Sequence, residues 1–339
     1  MCEQARPASS FILPESFPGG VTSTYHVPVL AETVRAWAAG SRRAVDATAG
    51  GGGHAALLRE AGATVLAIDR DPEAIAAAQA RLGDERVRYL STAFAAPLAL
   101  AAVAAFRPDR ILLDLGLSSH QVDSTDRGFT FRPGAPLDMR MTPGPRPGGK
   151  GGGGPGGPTA AEVLNSWPEE QLATCFADYA DEPHPRARAL AREVIRRRRR
   201  APLLVSDDFV NAIRALLGPR SGPAEFARLF QALRVAVNDE LGQLERALPP
   251  LRDALRPRGR LGVITYHSGE DRIVKHAFRE WSQTCVCPPR QPVCTCRGRS
   301  LGRLLTRKAV VPAADELRAN PRARSAKFRA FEVTDGPEG

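Results

Sequence analysis

Four consecutive glycines, Gly50 to Gly53, stand between a short apolar run and a helical pattern, and they constrain this chain more than any other feature. The full run is Val45-Asp46-Ala47-Thr48-Ala49-Gly50-Gly51-Gly52-Gly53-His54. Glycine adopts positive φ without a Cβ penalty, and it lets backbone amides approach a ligand at the start of the following helix. A strand that turns through glycines into a helix is the nucleotide-facing corner of a parallel α/β sheet. That corner alone is ambiguous. Gly50-x-Gly52-x-x-Ala55 fits a dinucleotide fingerprint, and Asp69 lies about twenty residues past the loop, where a ribose-binding acid belongs.

The rest of the chain continues the alternation and then departs from it. Apolar runs at 44–47, 64–68, 87–90 and 111–115 read as strands, separated by helical stretches, with Pro72 suited to a first helical turn. Strands alternating with helices imply a parallel sheet covered on both faces. From 121 to 222 no strand of similar strength appears. Residues 143–158 form a Gly/Pro tract that reads as a disordered loop, and 159–164, 168–180, 186–200 and 207–217 read as helices, with Ser206 as an N-cap for the last. Residues 226–248 read as one long helix returning to the sheet. Strands at 261–266 and 328–333 and a helix at 270–281 complete the chain. The organisation expected is a flexible tail (1–20), a first core part (21–120), a helical insertion (121–222) and a second core part (223–339).

Charge suggests a partner. The chain carries 47 Lys+Arg against 37 Asp+Glu, a formal net charge of +10, which favours a polyanion because neutralised phosphates release counterions. Arg196 to Arg200 are the densest concentration, although five successive helical arginines cannot all face one backbone. No stretch approaches the roughly 20 apolar residues of a membrane span. The first twenty residues carry Glu3, Arg6 and Glu15 and lack an apolar core, so the cytoplasm is the expected location and no membrane partner is expected. Of six cysteines, four cluster as Cys285-Val286-Cys287 and Cys294-Thr295-Cys296. Four thiolates suit tetrahedral zinc, but the spacing differs from the usual Cys-x-x-Cys knuckle, and a loop of reduced thiols fits equally well.

Two acids shift the glycine corner away from a nicotinamide enzyme. Asp46 precedes the glycines inside the first strand, where methyltransferases carry an acid that can face the methionine amino group. Asp114-Leu115-Gly116-Leu117-Ser118-Ser119 places polar groups at the carboxyl edge of the fourth strand, where α/β enzymes bind substrate. Phe94, just past the third strand, is placed either to lie against an adenine or to fill the core.

Collinear motifs then make a resemblance specific. They include Tyr25-His26-Val27-Pro28-Val29-Leu30, Ala67-Ile68-Asp69-Arg70-Asp71-Pro72, Asp126-Arg127-Gly128-Phe129-Thr130-Phe131 and Pro136-Leu137-Asp138-Met139-Arg140-Met141. Phe230-Gln231-Ala232-Leu233-Arg234, Asn238-Asp239-Glu240-Leu241 and Asn320-Pro321-Arg322-Ala323-Arg324-Ser325-Ala326-Lys327 follow. With these the chain resembles the bacterial ribosomal small-subunit RNA methyltransferase H family over nearly its whole length.

The resemblance implies a Rossmann-like S-adenosylmethionine-dependent methyltransferase sheet with an inserted helical domain. It implies methylation of N4 of a cytidine in the decoding region of small-subunit (16S) ribosomal RNA, within the assembling or assembled subunit. It maps cofactor contacts onto Gly52, Gly53, His54, Asp69, Phe94, Asp114 and Gln121, while His54 also suits local capping. Candidate acceptors for the N4 protons are Ser118 and Asp138, each equally suited to a structural role, Asp138 by pairing with Arg140. The target base must leave its stack to be reached. Two departures stand out. Gly269 replaces the family's leucine in His267-Ser268-Gly269-Glu270-Asp271-Arg272, which either loosens packing or opens the strand-to-helix turn, and the segment from Pro223 to Arg228 runs slightly long. A nicotinamide oxidoreductase and a non-catalytic RNA-binding factor are the competing readings.

Overall fold

The computed structural model describes residues 28–116, 125–142, 157–288, 291 and 293–334. The 1–20 tail, Ser118, Gln121 and residues 143–156 of the Gly/Pro tract lie outside these residues.

Among the described residues, seven strands form one sheet in the order β3-β2-β1-β4-β5-β7-β6. The strands β1 (Arg43–Asp46), β2 (Thr64–Asp69), β3 (Val87–Ser91), β4 (Arg110–Asp114) and β5 (Arg260–Thr265) pair in parallel. β7 (Lys327–Val333) runs antiparallel to β5, and β6 (Gly302–Leu304) antiparallel to β7. An all-parallel dinucleotide sheet has the order 3-2-1-4-5-6. The reversed β7 wedged between β5 and β6 departs from that order, and the sheet is Rossmann-like. β6 carries too few residues for a sequence pattern, and only its pairing with β7 makes it a strand.

Parallel strands buried on both faces explain the continuous apolar runs. In β1 and β4 the side chains alternate. Ala44 and Leu112 join one core with Leu30, Val34 and Trp37 of the α1 (Ala31–Ala38) region and with Leu57 and Leu58 of α2 (Gly53–Glu60). Val45, Ile111 and Leu113 join the other, with Val103 and Phe106 of α4 (Pro97–Phe106). Between them in sequence, α3 (Pro72–Leu82) starts at Pro72 and is capped by Asp71, whose carboxylate accepts the Glu73 amide at 3.1 Å.

A third core is mainly helical, completed by Leu137, Met139 and Leu203 from connecting segments. α5 (Ala160–Ser166), α6 (Glu169–Ala180), α7 (His184–Arg198), α8 (Ser206–Leu217) and α9 (Pro223–Asn238) converge on Phe176, Phe209, Phe226 and Phe230. The Phe209 and Phe230 rings meet at 5.3 Å between centroids, and aromatic rings of this size dominate the burial of such a cluster.

Three sequence readings are corrected here. Ser206 is the first residue of α8 rather than its cap; its hydroxyl donates to the Arg132 carbonyl at 2.6 Å, while Asp208 accepts the Leu204 and Val205 amides at 2.8 and 3.0 Å. Residues 226–248 are two helices, because Asp239 adopts a left-handed φ of 49° between α9 and α10 (Glu240–Asp253). Finally, α9 packs into the helical core and only α10, through Leu244, Leu248 and Leu251, returns to the sheet. The change of packing partner therefore falls at Asp239. An apolar period that runs through both helices hides this break.

Candidate active site

A cavity of about 1010 Å³ opens at the carboxyl ends of β1, β2 and β4, where the strand order reverses direction. Open α/β sheets bind ligands at such a switch point. Its far wall comes from the α9–α10 junction, through Arg234, Asn238, Glu240 and Gln243.

The glycine corner is held from two sides. Asp69, at the end of β2, accepts the Gly50 amide at 2.8 Å on one carboxylate oxygen and the Asp71 amide at 2.9 Å on the other. Gly50, Gly51, Gly53, His54, Asp69, Phe94 and Asp114 all line the cavity. Gly52 does not. Its φ is 79°, and a Cβ there would stand 3.1 Å from Leu82 Cδ1 and 3.2 Å from Ala78 Cβ. This glycine therefore serves the close packing of the loop on α3, which spacing alone could not separate from ligand contact. His54 Nε2 lies 2.9 Å from the Val29 carbonyl, which can only accept, so that nitrogen carries hydrogen. The other nitrogen, Nδ1, faces Asp114 Oδ2 at 3.4 Å.

Three carboxylates gather at three adjacent strand ends. Asp46 is fully buried and lies behind the cavity surface rather than on it. Its Oδ1 accepts the Thr48 amide at 3.3 Å, while Oδ2 is buried without a hydrogen-bond partner. Burial first, and then repulsion from Asp114 and Asp69 against the attraction of His54, leave its carboxyl pushed up to about 7. Burial also pushes the Asp69 carboxyl up. The Thr48 hydroxyl accepts the Asp114 amide at 2.6 Å and so ties β1 to β4. Tyr266, just beyond β5, hydrogen-bonds Asp114 through its hydroxyl, and burial beside that acid pushes the phenol up. A ligand cation relieves this crowding of carboxylates, whereas a pyrophosphate adds charge of the same sign.

Other lining residues were not found from the sequence. Tyr266 and His267 form the turn after β5 and Glu270 opens the helix that follows; His267 Nε2 stands 3.1 Å from Glu270 Oε1, and Glu270 Oε2 accepts the Tyr266 amide at 2.7 Å. A half-buried histidine in charge contact with a buried carboxylate at a cavity wall has the groups that proton transfer uses. Arg234 and Glu240 form a two-pronged ion pair at 2.8 Å for each contact. Asn238 locks the insertion onto the site: its Oδ1 accepts the Met141 amide and its Nδ2 donates to the Met139 carbonyl, both at 2.8 Å. Only the collinear order of the motifs Pro136–Met141 and Asn238–Leu241 hinted at this contact.

Asp138 does not line the cavity. Its carboxylate holds the Arg140 guanidinium at 2.7 Å through both oxygens, which is the structural role weighed for it. Gly269 is buried, and a Cβ on it would meet the His267 ring and Leu241 at 3.2 Å. Of the two readings of this glycine, the closed contact at the strand-to-helix turn stands against loosened packing. The four clustered cysteines lie outside the cavity, between α11 (Ser268–Ser282) and β6, with their sulfurs brought together.

Comparison with known proteins agrees with this geometry. The model of the MraW methylase family matches residues 23–334. The chain belongs to that family. A protein of Gemmatimonas aurantiaca named Ribosomal RNA small subunit methyltransferase H is 53% identical over 320 residues, covering 93% of this chain and 98% of its own length. Proteins of the same name from Rubrobacter xylanophilus (45% identical, 93% and 98% covered) and Heliobacterium modesticaldum (42%, 91% and 98%) are also similar. The motifs quoted from the sequence all fall inside the span matched by the MraW family model.

Proposed function

We propose that this chain transfers a methyl group from S-adenosyl-L-methionine to N4 of a cytidine in the decoding region of small-subunit (16S) ribosomal RNA, working in the cytoplasm. The observation that carries the cofactor reading is the group of three carboxylates, Asp46, Asp69 and Asp114, around a nucleotide-binding corner, with the buried Asp46 Oδ2 left without a partner. The names of the similar proteins support ribosomal RNA as the substrate.

When bound, the cofactor supplies an electrophilic methyl on a sulfonium. The chain's own residues would hold it: the amides of Gly51 and Gly53 beside its carboxylate end, Asp69 at its ribose hydroxyls and Phe94 against its base. The Asp114–His54–Tyr266 group would fix the cationic end by charge. The cytosine amine is a weak nucleophile because its lone pair is delocalised into the ring, so positioning supplies much of the rate. The N4 proton must then pass to an acceptor. Ser118 retains that candidacy from the sequence, and the His267–Glu270 pair joins it in place of Asp138. The far wall between α9 and α10, with Arg234 and Asn238, would receive an unstacked base.

The test is direct. The purified chain is incubated with methyl-labelled S-adenosylmethionine and either naked small-subunit RNA or assembled subunits, followed by nuclease digestion and mass mapping. N4-methylcytidine at one decoding-region position is expected. Label on a ring carbon or a ribose oxygen, or no transfer to either substrate, would overturn the reading.

A further inference from the structure

Between α11 and β6 the chain runs from Ser282 to Leu301 without one buried side chain among its described residues. Ordering a backbone costs about 1–2 kcal/mol per residue, and here no apolar burial offsets it. Yet four thiols converge in this stretch. The Cys294 sulfur lies 3.8 Å from that of Cys285, 3.7 Å from that of Cys287 and 3.4 Å from that of Cys296. Cys296 and Cys285 are 3.8 Å apart, and all four sulfurs lie within 4.8 Å of one another. A tetrahedron of thiolates around zinc at about 2.3 Å has sulfur–sulfur edges of about 3.8 Å. A disulfide needs about 2.05 Å, and all four cysteines are free thiols.

We propose that Cys285, Cys287, Cys294 and Cys296 bind one zinc ion as a closed tetrahedral site. Each Cys-x-Cys arm gives two ligands, and the Val286 amide donates to the Cys296 sulfur at 3.4 Å, which favours a thiolate there. Four protein ligands leave no open coordination position, so the ion is structural. It holds a loop that has no core of its own. Arg297 fastens that loop to the end of α11, meeting the Glu280 carboxylate at 2.7 Å and the Glu280 carbonyl. Through this clasp the metal steadies the passage from α11 to the β6–β7 edge of the sheet. Sequence spacing left zinc and a loop of reduced thiols level; the convergence of the sulfurs separates them.

The full chain, purified under reducing conditions without chelator, is expected to carry one zinc per chain by elemental analysis. Cobalt exchanged into it should give the intense visible bands of a tetrahedral thiolate site. A thiol-blocking mercurial should release the zinc as four thiols react, and Cys294→Ser should abolish stoichiometric binding. The release measurement on the unaltered chain stands even if that variant fails to fold. A chain with no zinc after incubation with excess zinc overturns the proposal. So do two disulfides by intact mass under native conditions, and so does a folded Cys294→Ser variant that keeps its full zinc.

Discussion

The Gly50 amide donates to Asp69 Oδ2 at 2.8 Å, so the end of β2 holds the glycine corner that follows β1. Replacing Asp69 by Asn puts an NH2 where one of two backbone donors must be accepted. Asp69→Asn is therefore expected to raise the Kd for S-adenosylmethionine about 10- to 100-fold, as one lost charge-assisted contact implies. Isothermal titration checks this; an unchanged Kd would detach Asp69 from the cofactor.

Asp46 gives a pH dependence. Its folded carboxyl is pushed up to about 7 from an ordinary 3.8. At pH values below the ordinary one, folded and unfolded chains both hold the proton. As pH rises towards 7 the unfolded chain ionises first, so this group's contribution is lost through that window. Asp46→Asn keeps an acceptor for the Thr48 amide and cannot ionise. The variant should match the parent at about pH 4 and exceed it by on the order of 2–4 kcal/mol at about pH 8. Denaturant unfolding at both pH values measures the difference, and equal stabilities throughout would refute the burial argument. The same variant should bind S-adenosylmethionine more weakly at the higher pH, with less effect on S-adenosylhomocysteine, which lacks the sulfonium charge.

Gly116 lies under Tyr266. A Cβ at Gly116 would stand 2.7 Å from Tyr266 Cε2, closer than side-chain carbons pack. Gly116→Ala should lower stability by about 1–3 kcal/mol and displace the Asp114–Tyr266 contact. Adding Tyr266→Ala should remove the interaction penalty in a double-mutant cycle. Additive losses would show that the clash is not with this ring.

Arg127 joins the insertion to the sheet. It meets the buried Asp71 carboxylate at 3.0 Å and the Met141 carbonyl at 2.7 Å. Arg127→Met should cost about 2–4 kcal/mol, since it removes a charge partner from a buried acid. It should also speed proteolysis within residues 125–142, which limited digestion followed by mass analysis would show.

The arginine run is less available than its sequence suggests. Arg196 and Arg197 both bind Glu193, at 2.6 and 2.7 Å, and these contacts hold the Glu193 carboxyl down to about 2. Arg198 donates to the Leu164 and Trp167 carbonyls at 2.9 and 2.7 Å. Neutralising Arg199 and Arg200 together should reduce the salt slope of RNA binding by about 1.5, whereas Arg198→Ala should lower stability more than affinity. Filter binding over a salt series tests this, and an unchanged slope for the Arg199/Arg200 pair would remove the run from the RNA interface.

By itself the sequence determined the α/β alternation, the glycine corner, Asp69 and Asp114 at strand ends and the family motifs, because these are local patterns of period, turn chemistry and charge. The tertiary structure alone decided which way Gly52 faces, because its missing Cβ is filled by Leu82 and Ala78 from another helix. It alone broke the helix at Asp239, joined Asn238 to Met141 and set Tyr266 against Asp114. It also brought the two Cys-x-Cys arms together into one cluster of sulfurs. Each of these depends on contacts between residues distant along the chain or on one backbone angle. An apolar or polar pattern fixes which face of an element is buried, but not which distant side chain will meet it.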